Sequence, residues 1–487
     1  MQGRWPIRDF KFRWRPGGLF SATLFAEQAN VLGIVTKQDL DSILISGKRI
    51  PAILDEPWSP PDAEMRASLT TYYLLGPKDQ EEFWNEAAGS FNRRAESFAR
   101  KKLILEAVAA MDLPRGTDLR SRLKAAYDWI DANLINTALR TSEEVEMAAD
   151  EADQRRAWNV GDLLERREGP GWQLDYLYMG VARALGADAH LVYTANRPDH
   201  YFHPDMLTVE QIDATLVAIA PLGEPDETRV FVDPGSGLPF GQVPWWTSGM
   251  RGLLAMPDKG VHIPVPPSQA LDNLSHSRVS ISFNADDGTG IVHWTRVANG
   301  QSGLTDRRAI RSMSPEQRAK RLEDYCGSSG DIDVVRAQAA LVDKSAGPLD
   351  IACDTILTHA DMDTQRGEHL FSFMGPWIES VPELVSEKRV SPIVFPFPRA
   401  DRTTIDITVP AGFHDRTAPS PVRLDTPYGR YILDVTPTPE GFHVERLFSL
   451  VSIAVPAAEY PALRAYLTAV RRADLTMVSF RKSSDAP

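Results

Sequence analysis

Residues 159–241 constrain the fold of this chain more than any other stretch. After the turn Gly169-Pro170-Gly171, apolar residues recur at helical spacing, which predicts a helix that begins near Trp172 and ends at Gly186. Its apolar face consists of Leu174, Leu177, Tyr178, Val181 and Leu185. Three short apolar segments then predict buried strands: residues 189–193, 214–220 and 229–233. The third strand closes in the dipeptide Asp233-Pro234.

This order of turn, helix, strands and Asp-Pro resembles the core of transglutaminase-like proteins, which have a papain-like cysteine-enzyme fold. In that family a Gly-x-Cys-x-Asp loop opens the helix, a His heads the second strand and an Asp closes the third. Counting back from Gly186 without a gap places Gly171 at the cysteine position. The strand that begins with His in the family begins here with Asp213, while Asp233 matches the family. The chain is most similar to bacterial proteins in which such a core is flanked by β-rich domains of unassigned function.

The resemblance implies a scaffold that lacks the chemistry of the family. The family's nucleophile is a thiolate, activated by a helix N-terminus and by a His that the Asp orients. Gly171 has no side chain, and an anionic Asp213 would oppose a thiolate. We therefore predict no catalytic triad and a non-catalytic protein that binds a protein or peptide in the degenerate cleft. A cysteine-type transglutaminase or protease remains the alternative if this register is wrong.

Six further residues are candidates for lining the cleft: Trp172, Gln173, Trp245, Trp246, His200 and His203. The tryptophans at 245 and 246 fit either a groove beside Gly171 or the packing of a domain joint, which is the commoner role. The two histidines are three residues apart in a proline-flanked loop, a spacing unlike the i, i+4 pair of helical zinc sites. We therefore predict no metal and no cofactor, and consider either His as a substitute base.

Two other classes of function stay open. Asp213 and Asp233 could act as a carboxylate pair in a hydrolase, as in glycosidases. Aspartates at a strand start and before Pro234 are, however, also common in turns without any catalytic role. The third interpretation is a purely architectural protein in which the core is a spacer.

Composition limits the partners and the compartment. The net charge of −13 argues against a nucleic-acid partner, and no apolar run approaches the ~18 residues of a membrane-spanning helix. Residues 1–19 carry five basic side chains and no apolar core, so they do not form a signal peptide. The resemblance nevertheless implies a periplasmic or other extracytoplasmic protein. One disulfide between Cys326 and Cys353 is possible, and the sequence does not indicate an oligomeric state.

The predicted fold class is α+β, a papain-like transglutaminase core joined to one or more β-sandwich domains. A length of 487 residues favours about three domains. We predict the end of an N-terminal β domain at 1–61, the core at 62–257, and a C-terminal β-rich region of one or two units at 258–487. Asp79, Asp118 and Ser314 are the predicted helix N-caps. An acidic run at 141–153 is typical of a solvated surface.

Overall fold

The computed structural model describes residues 2–15, 21–26, 32–38, 42–74, 78–140, 157–223, 229–284, 289–311, 313–327, 332–340, 347–357, 363–365 and 368–482. The predicted acidic run at 141–153 lies outside this set. None of the helices in the described ranges is both long enough and apolar enough to cross a membrane.

The N-terminal part is a small β structure. Its elements are β1 (Ile7–Trp14), β2 (Ser21–Ala26), β3 (Val35–Gln38), β4 (Ile43–Ile50), α1 (Asp62–Met65) and β5 (Leu69–Leu74). Strands β1, β4 and β3 form one antiparallel sheet in that order, and β2 pairs with β5. A minor core of Ile34, Ile45, Ile50 and Ala67 lies under the first sheet.

In the described part of the central region, five helices and a short strand pair surround a five-stranded sheet. They are α2 (Gln80–Phe98), α3 (Lys101–Ala110), α4 (Leu119–Asn133), β6 (Ile135–Asn136), α5 (Val160–Arg166), β7 (Glu168–Gly169) and α6 (Gly171–Ala184). The side chains of Asp79 and Asp118 cap α2 and α4, as predicted. Helix α5 precedes the Gly169-Pro170-Gly171 turn, in a segment for which the sequence analysis predicts no helix. It forms because the Asn159 side chain accepts the N–H groups of Gly161 and Asp162, which is an N-cap.

A five-stranded sheet lies against α6. Its members, in spatial order, are β10 (Val230–Val232), β9 (Ala214–Pro221), β8 (Ala187–Thr194), β11 (Met250–Ala255) and β12 (Gly260–Val265). The helix and the first three strands agree with the prediction for residues 159–241. Nine of the residues of α6 are buried, so the helix is embedded between α2, α3, α4 and the sheet.

The C-terminal part is built on an eight-stranded sheet. In spatial order it contains β15 (Ile332–Ala340), β16 (Leu349–Leu357), β14 (Gly290–Ala298), β13 (Leu274–Phe283), β20 (Arg399–Thr408), β24 (Gly441–Leu450), β23 (Gly429–Pro437) and β22 (Val422–Thr426). Only the β13–β20 pair is parallel. The remaining elements are α7 (Gly300–Arg311), α8 (Pro315–Cys326), β17 (Asp363–Gln365), β18 (Glu368–Ser372), β19 (Ile393–Val394), β21 (Phe413–Thr417), β25 (Ala454–Val455), α9 (Tyr460–Asp474) and β26 (Met477–Lys482).

A second sheet shares a core with the first. Its order is β17-β18-β26-β21, and the ring of Phe283 in β13 lies 4.8 Å from the ring of Phe371 in β18. Helix α8 begins at the predicted cap, where Ser314 and Gln317 form a capping box. It ends at Cys326, which is disulfide-bonded to Cys353 in β16. Cys353 therefore cross-links α8 to β16 and is also a buried residue of the core.

Candidate functional site

A cavity of about 420 Å³ opens at the N-terminal end of α6. Its wall contains Gly171 from the first turn of α6, Asp213 just before β9, and Asp233 just after β10. Trp172 and Trp246 also line it. The three positions that the sequence analysis assigned to the triad by resemblance thus line one cleft.

Gly171 leaves no room for a large side chain without an adjustment. A Cβ atom built on it would lie 3.1 Å from Nδ2 of Asn136, which is tighter than ordinary van der Waals contact. Asn136 belongs to β6 and also lines the cavity. The amide of Asn136 therefore fills the direction in which a side chain at position 171 would project.

The floor of the cleft holds a carboxyl group that the sequence analysis missed. Asp175 lies one helical turn after Gly171, is 1% exposed and lines the cavity. The hydroxyl of Thr215 donates to its Oδ2, whereas its buried Oδ1 has no hydrogen-bond partner in the part of the chain that the structure describes. Burial, and then the charge of Asp233, raises the pKa of Asp175 well above its ordinary value.

Asp233 is held by contacts to its backbone. The Tyr127 hydroxyl donates to the carbonyl oxygens of Asp233 at 3.1 Å and Leu238 at 2.8 Å, and the Ser236 hydroxyl donates to the former at 2.6 Å. Burial, and then the charge of Asp131, raises the pKa of Asp233 to about 8. Asp131 accepts the N–H of Gly235, and burial raises its pKa to about 7. Three carboxyl groups in this region therefore have raised pKa values: Asp175 and Asp233, which line the cleft, and Asp131, which lies next to Gly235.

Gly235 is required for this close packing. Its φ of +82° lies in the left-handed region, and a Cβ atom there would overlap Cδ2 of Leu174 in α6. The Asp233-Pro234 turn can approach the helix only because position 235 carries no side chain.

Asp213 differs from the other two aspartates because it lies at the exposed rim. Oδ2 of Asp213 is 3.3 Å from Nε2 of His200. The same nitrogen is 3.1 Å from the carbonyl oxygen of Gln211. His200 does not line the cavity, so it can act on the cleft only through Asp213.

His203 lies outside the cavity as well. Its Nε2 is 3.0 Å from Oε2 of Glu64, whose other oxygen accepts the N–H of Tyr201 at 2.7 Å. Burial would raise the pKa of Glu64, but these hydrogen bonds outweigh it and lower the pKa. His203 therefore ties its loop to α1. Within the described ranges, no group of three or more His, Cys, Asp or Glu side chains is placed to hold a metal ion.

The remaining candidates divide between the cleft and the framework. Gln173 is buried, and its amide donates to the carbonyl oxygen of Ala157 at 3.0 Å, away from the cavity. Trp245 does not line the cavity. The Arg197 guanidinium lies 5.4 Å from the Trp245 ring, and Nη1 of the same arginine donates to the carbonyl oxygen of Phe395 at 3.4 Å. Trp245 thus occupies the joint with the C-terminal part, the commoner role considered above, whereas Trp246 reaches the cleft.

The walls of the cleft are mostly aromatic. Besides the two tryptophans, the side chains of Phe91, Tyr176 and Tyr193 line it, and the rings of Phe91 and Tyr193 stack at 4.2 Å. The Arg94 guanidinium lies 5.4 Å from the Trp172 ring at the edge of the cavity. Aromatic faces and carboxyl oxygens are the groups that attract cations and N–H donors.

Comparisons with known proteins found a family model and similar solved structures. Residues 371–480 match the family model described as "Domain of Unknown Function with solved-structure structure (DUF3858)". No curated protein matches the chain. The chain is similar to a solved structure described as "a putative protease from Parabacteroides distasonis", with a TM-score of 0.53 and 13% identity over 99% of this chain and 74% of that one. A structure described as "a TGase" has a TM-score of 0.20 and 12% identity over 45% of this chain and 48% of that one. The mixed helix and strand content agrees with the predicted α+β class, and the chain shares the fold of the first of these two proteins.

Proposed function

We propose that this chain is a transglutaminase-like protein without acyl-transfer chemistry whose cleft binds a peptide or protein segment through a cationic side chain. The observation that carries the proposal is Asp175. A buried carboxyl oxygen with no partner is costly, and an incoming N–H donor would satisfy it. The rim residue Asp213 lines the same cavity and adds to its attraction for a cation. Asp233 also lines it, and a bound cation would favour the ionised form of this carboxyl, whose pKa is raised to about 8.

The absence of acyl transfer follows from the groups around Gly171. Both cysteines of the chain form the Cys326–Cys353 disulfide, so neither offers a thiol to the cleft. This arrangement also speaks against the cysteine-type alternative. The neighbouring carboxyl groups would disfavour a thiolate even if a cysteine stood at position 171.

The volume of the cleft suits a single side chain of a longer ligand. A volume of about 420 Å³ lies at the small end of ligand pockets. Tyr176, Tyr193 and Trp172 line the cavity together with Asp175. A lysine fits this combination because its aliphatic stem can pack on the rings while the ammonium group reaches the carboxyl oxygens.

An extracytoplasmic location is part of the proposal. Stable structural disulfides occur mainly in oxidising compartments such as the bacterial periplasm. The buried Cys326–Cys353 bond supports that location and agrees with the resemblance described above.

Peptide arrays and calorimetry test this function. Peptides that carry lysine should bind at least tenfold more tightly than the same peptides with norleucine. Asp175→Asn should reduce that preference, whereas Asp205→Asn, at an exposed position outside the cleft, should not. Gly171→Trp should abolish binding because the new ring would have to displace Asn136 from the cavity wall and would crowd the cavity. The same peptides bound equally by the wild type and by Gly171→Trp would overturn the proposal.

The raised pKa values favour a second candidate, a hydrolase that uses two carboxyl groups. A carboxyl that stays protonated near neutral pH can act as an acid while its neighbour activates water. Asp175 and Asp233 fit these roles better than the pair Asp213 and Asp233, because Asp213 is exposed. The similar solved protein described as a protease adds to this candidate. Release of dye from a quenched peptide library, abolished by Asp233→Asn, would establish it, and no release from any peptide would reject it.

A further inference from the structure

A second cavity, of about 700 Å³, lies behind the cleft. It is enclosed by α7, by the end of α4 and by the turn at residues 235–236. Five arginine side chains line it: Arg140, Arg167, Arg307, Arg308 and Arg311. We call it the arginine cavity. It shares Asn136, Leu139 and Ser236 with the cleft, so the two cavities are neighbours.

Arg307 is the most buried of these arginines, at 3% exposure. Its Nη2 donates to the carbonyl oxygen of Gly347, whereas Nε and Nη1 are buried without an acceptor in the described ranges. No carboxylate in those ranges lies within ion-pair distance of Arg307, Arg308 or Arg167. Burial, and then the positive charge of Arg311, lowers the pKa of Arg307.

The carboxylates closest to this cavity do not neutralise Arg307. Glu168 is paired with Arg140 on the opposite wall. Asp131 lines the cavity, but its Oδ1 accepts the N–H of Gly235, and burial raises its pKa to about 7. The guanidinium of Arg308 lies over the Trp246 ring, 4.7 Å from its centre, which is a cation–π contact and not an ion pair.

A buried guanidinium without a counter-ion is strongly unfavourable, because burial removes its hydration and nothing replaces it. Helix α7 nevertheless places three arginines at positions 307, 308 and 311, and two more face them across the cavity. An anion in the cavity would supply the missing charge and accept the unused N–H groups. Guanidinium groups suit phosphate and carboxylate oxygens because they offer paired N–H donors in a plane.

We propose that the arginine cavity binds a small multivalent anion that carries phosphate or carboxylate groups, and that Arg307 contacts it directly. A cavity of about 700 Å³ is large enough for a metabolite-sized ligand. The recessed position and the net charge of −13 of the chain favour a small molecule over a nucleic-acid backbone, which requires a broad basic surface.

Calorimetry with pyrophosphate and with citrate, at constant ionic strength and with chloride as the background anion, tests the proposal. At least one of the two anions should bind saturably to the wild type. The anion that binds more tightly shows whether the cavity prefers phosphate or carboxylate groups. Arg307→Met should weaken that binding at least tenfold. Arg472→Met, which removes an exposed arginine from α9, should leave it unchanged.

Two further measurements keep the test decisive. Arg307→Met should melt no lower than the wild type without ligand, because it removes a buried unpaired charge. Should this variant fail to fold, Arg167→Gln at the exposed rim should still weaken binding about threefold. The proposal is overturned if neither anion binds saturably, if both arginine variants bind as the wild type does, or if only a glutamate-rich peptide binds. None of these outcomes depends on lysine binding in the cleft.

Discussion

Replacing Asp233 with asparagine is expected to remove much of the pH dependence of the stability of this protein. Burial raises the pKa of Asp233 from an ordinary 3.8 to about 8. A carboxyl group with a higher pKa in the folded chain holds its proton more tightly there than in the unfolded chain. Below pH 4, where the carboxyl is protonated in both states, it does not reduce the free energy of unfolding. That free energy falls as the pH rises towards 8.

The size of the effect follows from the same pair of pKa values. The difference between 3.8 and about 8 corresponds to about 6 kcal/mol of unfolding free energy, which the wild type loses between pH 4 and pH 9. Asparagine resembles the protonated carboxyl in shape and carries no charge at any pH. Relative to the wild type, Asp233→Asn should therefore gain several kcal/mol of unfolding free energy at pH 9 and little at pH 4.

Urea unfolding followed by circular dichroism, at fixed ionic strength from pH 4 to pH 9, measures this difference. Asp213→Asn is the matched control, because it removes an exposed carboxyl group from the rim of the same cleft. Parallel stability curves for the wild type and Asp233→Asn across that range would refute the assignment of a buried, protonated Asp233.

Three further changes have expected outcomes. Reducing the Cys326–Cys353 disulfide, which spans 27 residues, should lower the unfolding free energy by about 3.5 kcal/mol, and a reductant should not affect the double alanine variant. Gly235→Ala should destabilise by about 2 kcal/mol more than Gly223→Ala, measured by urea unfolding, because both positions have positive φ but only Gly235 contacts Leu174. Asp474→Ala should lower the melting temperature by the equivalent of about 4 kcal/mol, because it strands the buried Arg446, whose Nε and Nη2 donate to Asp474 at 2.7 and 2.9 Å. A smaller loss than in Asp434→Ala, which breaks the exposed pair with Arg423, would contradict the last prediction.

The elements around the cleft were predictable because their signals are local. Helix α6 follows from a repeated apolar face, the caps at Asp79, Asp118 and Ser314 follow from residue type, and the Asp233-Pro234 turn follows from composition. The sequence could not tell that Trp245 packs at the joint between domains while Trp246 lines the cleft. Two adjacent tryptophans give the same local signal, and only tertiary contacts distinguish them.

Asp175 was missed although one signal was present. It follows Gly171 by four residues, so both lie on the same face of α6, and an acid among Leu174, Tyr176 and Leu177 is unusual in a buried helix. Its unpaired oxygen was beyond prediction, because hydrogen-bond partners such as Thr215 come from a distant strand.

The arginine cavity was missed for a different reason. The sequence of α7, GQSGLTDRRAIR, contains two glycines and a weak apolar pattern, so it did not predict a helix. The arginines opposite α7 are far away in the chain, on either side of the acidic run. Only the fold brings the two groups together.

The two cavities are linked through Asp131. This residue lines the arginine cavity, and its charge raises the pKa of Asp233 in the cleft. An anion among the arginines would favour protonated Asp131, which would make the ionisation of Asp233 easier and so favour a cation in the cleft. By linkage, the cation must favour the anion to the same extent. The two proposals can therefore fail separately, but if both hold, each ligand should tighten the other, most strongly near pH 7 to 8, where Asp131 and Asp233 titrate.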